Sequence, residues 1–154
     1  TDAQTGDPID DALVQVGACH LADLRYDRMS GGQRQMILIA RALATGSQAV
    51  VLDEPTSALD LGNQSRTLSL IAALGRARDR AILFTTHDPN HALAVADDVV
   101  LMMPDGAVVQ GPVARMITPD LMAELYGVPM HWVRPDQPQG RSAMLPAFTG
   151  REAA

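Results

Sequence analysis

The sequence predicts an α/β fold in which a parallel β-sheet is flanked by helices. Two apolar runs, 49–52 and 81–85, have the length and the β-branched content of strands that are covered on both faces. Apolar residues at helical spacing over 62–77 place a helix between them, so the strands should pair in parallel through a right-handed crossover. A length of 154 residues with 47% hydrophobic content fits one globular core.

Two helices are predicted before the first strand. Apolar residues recur at helical spacing over 9–18 and again over 32–45, where Ser30 offers an N-cap and Gly46 a stop. Cys19 is the single cysteine, which rules out an intramolecular disulfide. Because its neighbours are apolar, Cys19 is expected to be a buried small hydrophobe.

Short elements and a tail are predicted after the second strand. Asp88 and Pro89 indicate an N-cap and the first position of a helix that ends near Ala96. Further elements are expected after it: a strand at 99–103, its return strand at 107–110, helices at 112–117 and 119–126, and an edge strand at 130–133. Pro, Gly and Gln are frequent from Pro135 onward, so 135–154 is expected to be a flexible tail.

The first candidate binding segment consists of Ser30, Gly31, Gly32 and Gln33, which open the helix predicted at 32–45. Two glycines let the backbone approach a ligand closely, and the free amides at the positive end of a helix favour an anion such as phosphate. A capped helix with a flexible entry turn explains the same residues, so the segment alone leaves both interpretations open.

The second candidate site is a pair of carboxylates, Asp53 and Glu54, at the carboxyl end of the strand at 49–52, where ligands of open α/β sheets bind. One carboxylate could hold Mg²⁺ through water while its neighbour takes a proton from an attacking water, as phosphoryl transfer to water requires. Two acids in a solvated loop are the alternative, which the apolar run before them and Pro55 after them disfavour. His87 follows the second strand and would lie near both carboxylates if the strands are neighbours, although a lone histidine is more often structural.

Several other classes of site are disfavoured. The spacings of the histidines and the cysteine match no zinc pattern. The remaining histidines are expected to be surface or packing residues: His20, His91 and His131. A net charge of −6 with scattered arginines argues against a nucleic-acid partner. No run approaches the ~18 apolar residues of a membrane-spanning helix, so direct membrane insertion is not expected.

The order of these motifs resembles that of an ABC-type ATPase, which has a P-loop NTPase core. The resemblance rests on four segments: 29–35 is similar to the ABC signature motif, 49–54 to the Walker B motif, 57–60 to the D-loop and 85–88 to the switch-histidine segment. The resemblance covers about residues 9–133. It implies that 1–134 form the C-terminal part of one nucleotide-binding domain. The end of its helical subdomain would lie at about 9–45, and the core with its C-terminal hairpin and helices at 46–134.

The same resemblance implies an enzyme that uses ATP and Mg²⁺. Asp53 would then be the magnesium residue, acting through water, and Glu54 the general base, while His87 would contact the terminal phosphate. The segment 30–33 would contact the ATP bound to the opposite subunit of a dimer, and Asp60 would be a coupling residue near the paired nucleotides.

Two further segments, 60–64 and 86–92, look like those of importer ATPases for iron-siderophore, haem or cobalamin. An importer of an oxyanion such as molybdate is the alternative cargo class. The implied partners are a second ATPase subunit and transmembrane permease subunits, with the chain peripheral on the cytoplasmic face of the inner (plasma) membrane. Two rival hypotheses are a non-catalytic interaction or regulatory module, and a DNA-repair or chromosome ATPase. The second lacks support because the sequence has no long coiled-coil insert and no basic surface pattern.

The departure from the family pattern is the absence of lysine, since all twelve basic residues are arginine. The lysine phosphate loop of Walker A, its strand and the glutamine loop are therefore expected upstream of this sequence, and the start at Thr1 without Met fits that expectation. In this fold the missing strand would lie between those at 81–85 and 99–103. The isolated fragment is expected to be inactive and marginally stable, because an unpaired central strand edge invites intermolecular pairing.

Overall fold

The computed structural model describes residues 6–134 and 142–148. The chain forms two compact units, 1–87 and 88–154. The helices and strands described in the first unit are α1 (Pro8–Gln15), α2 (Gly31–Ala44), β1 (Ala49–Leu52), α3 (Leu61–Ala77) and β2 (Ala81–Phe84). Two 3₁₀ turns, Cys19–Leu21 and Tyr26–Arg28, lie between α1 and α2. The predicted order of helix, helix, strand, helix and strand is confirmed.

Side-chain caps determine where the helices of the first unit begin. Asp7, Ser30 and Asp60 each accept a hydrogen bond from a backbone N–H in the first turn of the helix that follows. The first helix was predicted to reach residue 18 but ends at Gln15, because Gly17 adopts a left-handed conformation with φ of 68°.

β1 and β2 pair in parallel, with Val50 opposite Ile82 and Leu52 opposite Phe84, and α3 connects them as predicted. The expectation that both faces of these strands are covered was wrong for the first unit. Val50 is 3% exposed, whereas its neighbour Val51 is 65% exposed and Leu83 is 58% exposed. The described residues of this unit bury one face of the strand pair and leave the other open.

The core of the first unit consists of apolar side chains from α1, α2, α3 and β1. Ile39 at the centre of α2 is completely buried, and the loop after β1 is anchored by buried Pro55 and Thr56. The expectation of a buried Cys19 was wrong, since the side chain is exposed. Ala18 and Leu21 are the buried residues of that turn.

The second unit contains every short element predicted there and one more. Its elements are α4 (Pro89–Val95), β3 (Asp98–Met102), β4 (Val108–Pro112), α5 (Val113–Met116), α6 (Pro119–Tyr126), β5 (Met130–Val133) and β6 (Ala143–Pro146). β3 and β4 form an antiparallel hairpin, as do β5 and β6. The fully buried Met122 and Met144 lie in a core cluster with Leu101, Met103 and Ile117.

The prediction of a flexible tail was wrong for residues 143–146, which form β6. The Asn90 side chain holds this strand: its Oδ1 accepts from Met144 N at 2.7 Å and its Nδ2 donates to Met144 O at 3.0 Å. The burial of the Met144 side chain adds an apolar contribution. In the rest of the predicted tail, the structure describes Ser142, Ala147 and Phe148, whereas 135–141 and 149–154 lie outside the described residues.

The described strands form three separate two-stranded sheets, β1–β2, β3–β4 and β5–β6. Within that part of the chain, β2 pairs with β1 on one edge and has no strand on its other edge. No helix in the described ranges combines the length and the apolar character that crossing a membrane requires.

Candidate functional site

The carboxyl ends of β1 and β2 lie side by side because the strands are parallel. Asp53 and Glu54 follow β1 directly, and Thr85 and His87 come just after β2. Since the register pairs Leu52 with Phe84, Asp53 emerges beside Thr85. The candidate residues of two distant segments are therefore brought to one end of the strand pair.

Thr85 connects the two carboxylate residues. Its Oγ1 donates to Asp53 Oδ1 at 2.6 Å and accepts from Glu54 N at 2.8 Å, while Thr85 N donates to Leu52 O at 3.0 Å. Sequence reasoning gave this hydroxyl no role. The parallel register was the signal that could have found it, because the residue after β2 must lie opposite the residue after β1.

Glu54 has an unusual backbone conformation, with φ of 41° in the left-handed region. Such a conformation costs a non-glycine residue on the order of 1–3 kcal/mol and persists where surrounding contacts impose it. Those contacts are present: Glu54 N donates to Thr85, and Glu54 O accepts from Ser57 N at 3.0 Å and from Ser57 Oγ at 2.9 Å. Hydrogen bonds to both the backbone N–H and the backbone C=O of Glu54 therefore fix the turn that follows β1.

The carboxylate of Glu54 and the imidazole of His87 meet at this end of the sheet. Glu54 Oε1 lies 3.4 Å from His87 Nδ1, and the two side chains are 47% and 77% exposed. Both groups are open to solvent and can reach a bound molecule. A carboxylate beside an imidazole can take a proton from water and contact a charged group next to it.

The surroundings of Asp53 fit a magnesium ion that is bound mainly by water and phosphate. Asp53 is exposed and its carboxylate is oriented by Thr85. Among residues 6–134 and 142–148, no three His, Cys, Asp or Glu side chains are grouped closely enough to hold a metal. Mg²⁺ commonly takes only one or two protein carboxylates and keeps several waters, so a single aspartate is a sufficient protein ligand.

The segment 30–33 forms a capping box at the start of α2. Ser30 Oγ accepts from Gln33 N at 3.3 Å, and Gln33 Oε1 accepts from Ser30 N at 2.9 Å. Arg34 fixes the preceding turn by donating to Tyr26 O and Asp27 O, both at 3.2 Å. The interpretation of this segment as a capped helix therefore holds, and it is compatible with binding because the first amides of a helix have no partner within the helix.

Asp60 caps α3 through both carboxylate oxygens. Oδ1 accepts from Asn63 N at 2.8 Å, and Oδ2 accepts from Asn63 Nδ2 at 2.7 Å. These hydrogen bonds, the backbone one first, lower the pKa of the Asp60 carboxyl below its usual value. The helix-cap role of Asp60 is present in the structure, and its side chain is exposed.

Comparison with known proteins relates this chain to ATP-binding proteins of transporters. Residues 2–57 match the model of the ABC transporter family. The molybdate import ATP-binding protein MolC of Haemophilus influenzae is 40% identical over 119 residues, which are 77% of this chain and 47% of that protein. The iron(3+)-hydroxamate import ATP-binding protein FhuC of Bacillus subtilis is 34% identical, over 76% of this chain and 44% of that protein. The chain thus spans about half the length of these relatives.

Solved structures agree with the sequence relatives. An inward-facing metal-chelate type ABC transporter matches with a TM-score of 0.87 and 34% identity, over 92% of this chain and 57% of that one. An ATP-binding cassette in its ADP conformation has a TM-score of 0.69 and 22% identity, over 82% of this chain and 51% of that one, and supports the fold alone. Residues 2–57 therefore carry the ABC transporter domain, the relatives are ATP-binding proteins of such transporters, and the chain has the mixed α/β fold of their P-loop NTPase domains.

Proposed function

We propose that this chain is the C-terminal part of the ATP-binding and ATP-hydrolysing subunit of an ABC importer. One observation carries the proposal: Glu54 and His87 lie 3.4 Å apart beside Asp53, at the end of a parallel strand pair. Ligands of α/β sheets bind at this end of the strands. Residues from two separated segments thus offer the groups that phosphoryl transfer to water needs.

Each of the three side chains has a separate task in this proposal. Asp53 holds Mg²⁺ through its water shell, and the ion when bound neutralises charge that develops on the phosphates. Glu54 accepts the proton of the attacking water, and His87 contacts the terminal phosphate. Thr85 contacts the two carboxylate residues differently, because it binds the side chain of Asp53 but the backbone of Glu54. The side chain of Glu54 is thus left to the second role.

The proposed site is incomplete without other segments. The chain carries a net charge of −6 and has no lysine, while its groups at the strand ends are two carboxylates and one imidazole. A triphosphate needs cationic partners, and the proposal assigns that role to a lysine phosphate loop supplied by residues outside this sequence. In the dimer we propose, the segment 30–33 and Asp60 act on the nucleotide that the opposite subunit holds.

Residues 1–134 are accordingly proposed to be one part of a nucleotide-binding domain that other residues complete. The open face at Val51 and Leu83 supports this division, because exposed apolar surface on a strand pair is usually covered by another element. The isolated chain is expected to be inactive and prone to self-association through the free edge of β2.

The cargo is proposed from the relatives. The iron(3+)-hydroxamate relative supports our first candidate, an importer of the iron-siderophore, haem or cobalamin type. The molybdate relative, at 40% identity, supports an oxyanion importer as the second candidate. In either case the chain would bind transmembrane permease subunits and lie peripherally on the cytoplasmic face of the inner membrane.

The test is to complete the ATPase. This chain is joined to a segment that supplies a lysine phosphate loop with its strand, and phosphate release from Mg²⁺-ATP is measured. We expect this completed ATPase to hydrolyse ATP and to lose that activity when the supplied lysine is changed to alanine. Neither part alone should hydrolyse ATP. A completed ATPase that folds and binds ATP but releases no phosphate would contradict the proposal and favour a non-catalytic interaction module.

A second experiment distinguishes the cargo classes. Cells in which this sequence carries Glu54→Gln are compared with unaltered cells for uptake of radiolabelled molybdate, ferric siderophore, haem and cobalamin. The proposal expects one of these uptakes to be lost and the others to be unchanged. Normal uptake of all four cargoes would contradict both candidates.

A further inference from the structure

The first turns of α2 and α3 approach each other closely at one point. A Cβ added at Gly31 would meet Leu59 Cδ2 at 3.7 Å, which is an ordinary contact. A Cβ added at Gly32 would overlap the amide of Asn63, with 3.0 Å to its Nδ2 and less to its Oδ1. Gly32 is buried and Gly31 is exposed. The two adjacent glycines therefore stand in different surroundings, and only the second is closed in by another side chain.

The Asn63 side chain is not free to move away from Gly32. Its Nδ2 donates to Asp60 Oδ2 at 2.7 Å, and its backbone N donates to Asp60 Oδ1 at 2.8 Å. Turning the amide away from Gly32 would break the side-chain hydrogen bond to a carboxylate, which is stronger than one between neutral groups. The same contacts lower the pKa of the Asp60 carboxyl. The amide is thus held between the Asp60 carboxylate and the backbone at Gly32.

We propose that Asn63 is a positioning residue: fastened by Asp60, its amide packs on Gly32 and sets the spacing between the segment 30–33 and the cap of α3. This inference rests on the proposed function, in which both parts act on the nucleotide of the opposite subunit. It explains why position 32 is a glycine: a side chain there would collide with Asn63 of the same chain. This explanation is separate from close approach to a ligand. It also makes Asn63 a residue that affects the signature segment without touching nucleotide.

The first test is a double-mutant cycle in thermal and urea unfolding of the completed ATPase. Gly32→Ala should lower the folding equilibrium constant by about tenfold, because the added methyl group overpacks a closed site. The same change made together with Asn63→Ala should cost less than about threefold, because the smaller side chain leaves room for the methyl group. Gly31→Ala is the matched control and should stay within about threefold of the parent chain.

Equal costs of Gly32→Ala in the presence and absence of Asn63 would overturn the proposed contact. Loss of folding in Gly32→Ala, together with recovery in the double variant, would support it. This cycle needs no ATP hydrolysis, so it decides the packing even if the proposed function fails.

The second test separates positioning from mere stability, in the completed ATPase. Asn63→Ala should lower turnover by about tenfold or more while leaving the affinity of the same subunit for ATP unchanged. The reason is that the rate of hydrolysis falls steeply when the groups of the segment 30–33 are displaced. Carboxyl NMR should show the pKa of Asp60 rising toward its usual value in this variant. Unchanged turnover in an active completed ATPase, or an unmoved Asp60 pKa, would overturn the role assigned to Asn63.

Discussion

The ends of β1 and β2 and the first turns of α2 and α3 use their polar groups differently. At the strand ends, Glu54 has a left-handed backbone and an exposed carboxylate near an exposed imidazole. At the helix starts, Ser30 and Gln33 satisfy each other, and Asp60 is bonded twice by Asn63. The first region leaves a carboxylate and an imidazole exposed and holds Glu54 in a strained backbone conformation, whereas the second is stabilised by its own contacts. Changes at the strand ends should therefore affect activity more than stability, and changes at the helix starts should affect stability directly.

Apart from Glu54, the largest effect expected at the strand ends is at His87. His87→Ala in the completed ATPase should lower kcat by about 10²-fold or more, because the proposed role of His87 is to contact charge that develops on the terminal phosphate. The thermal midpoint should barely change, since the side chain is 77% exposed. Phosphate release and thermal unfolding are measured on the same sample. His20→Ala, at another exposed histidine, is the control, and an equal loss of rate there would remove the role from His87.

Thr85 should affect both activity and stability. Thr85→Val keeps the shape but removes the hydroxyl that bonds Asp53 and Glu54, leaving an unpaired N–H. We expect roughly tenfold lower turnover and a loss of about 0.5–1.5 kcal/mol in the free energy of unfolding, since the groups are exposed to water. Thr85→Ser retains the hydroxyl and should keep most of the turnover and most of the free energy of unfolding. If valine and serine behave alike, the hydroxyl bridge does not position the carboxylates.

The cap of α2 should affect stability, which is measured in the completed ATPase. Ser30→Ala removes the acceptor for Gln33 N and should cost about 0.5–2 kcal/mol in urea unfolding. Ser69→Ala, at an exposed position inside α3, is the matched control and should change stability by less than about 0.5 kcal/mol. A Ser30 variant as stable as the Ser69 variant would show that the capping box contributes little.

The smallest effect is the acid dependence that Asp60 confers. Its pKa is lower in the folded chain than the usual 3.8. The stabilisation is therefore fully present above the unfolded pKa and is lost as pH falls through the folded pKa. Urea unfolding of the completed ATPase and of its Asp60→Asn variant is compared from pH 6 to pH 2. The difference between their free energies of unfolding should be constant at the upper end and should narrow below about pH 4. A difference in the free energy of unfolding that widens in acid would contradict a lowered pKa of Asp60.

The fold elements could be predicted because their signals are local. Asp60 and the residues of the capping box lie within one helical turn of their partners, so sequence spacing alone indicates the helix starts. The two buried-strand patterns likewise predicted the strands and the parallel connection.

The features that could not be predicted from the sequence depend on contacts between residues that are distant along the chain. β6 is ordered by Asn90, which is 54 positions from Met144, and the role of Thr85 depends on a residue 32 positions away. The open face of β1 and β2 could not be foreseen either, because an apolar run does not show which of its faces a neighbour covers. At the candidate site, residue types could be predicted, but the left-handed turn at Glu54 that separates it from Asp53 could not.

The central claim is that Glu54 accepts the proton of the attacking water, and Glu54→Gln in the completed ATPase tests it most directly. Glutamine preserves the shape but cannot act as a base, so turnover should fall by about 10²- to 10⁴-fold while Mg²⁺-ATP still binds. Glu124→Gln, an exposed glutamate on α6, is the control and should retain full turnover. Turnover in Glu54→Gln within about threefold of the unaltered completed ATPase would contradict the account.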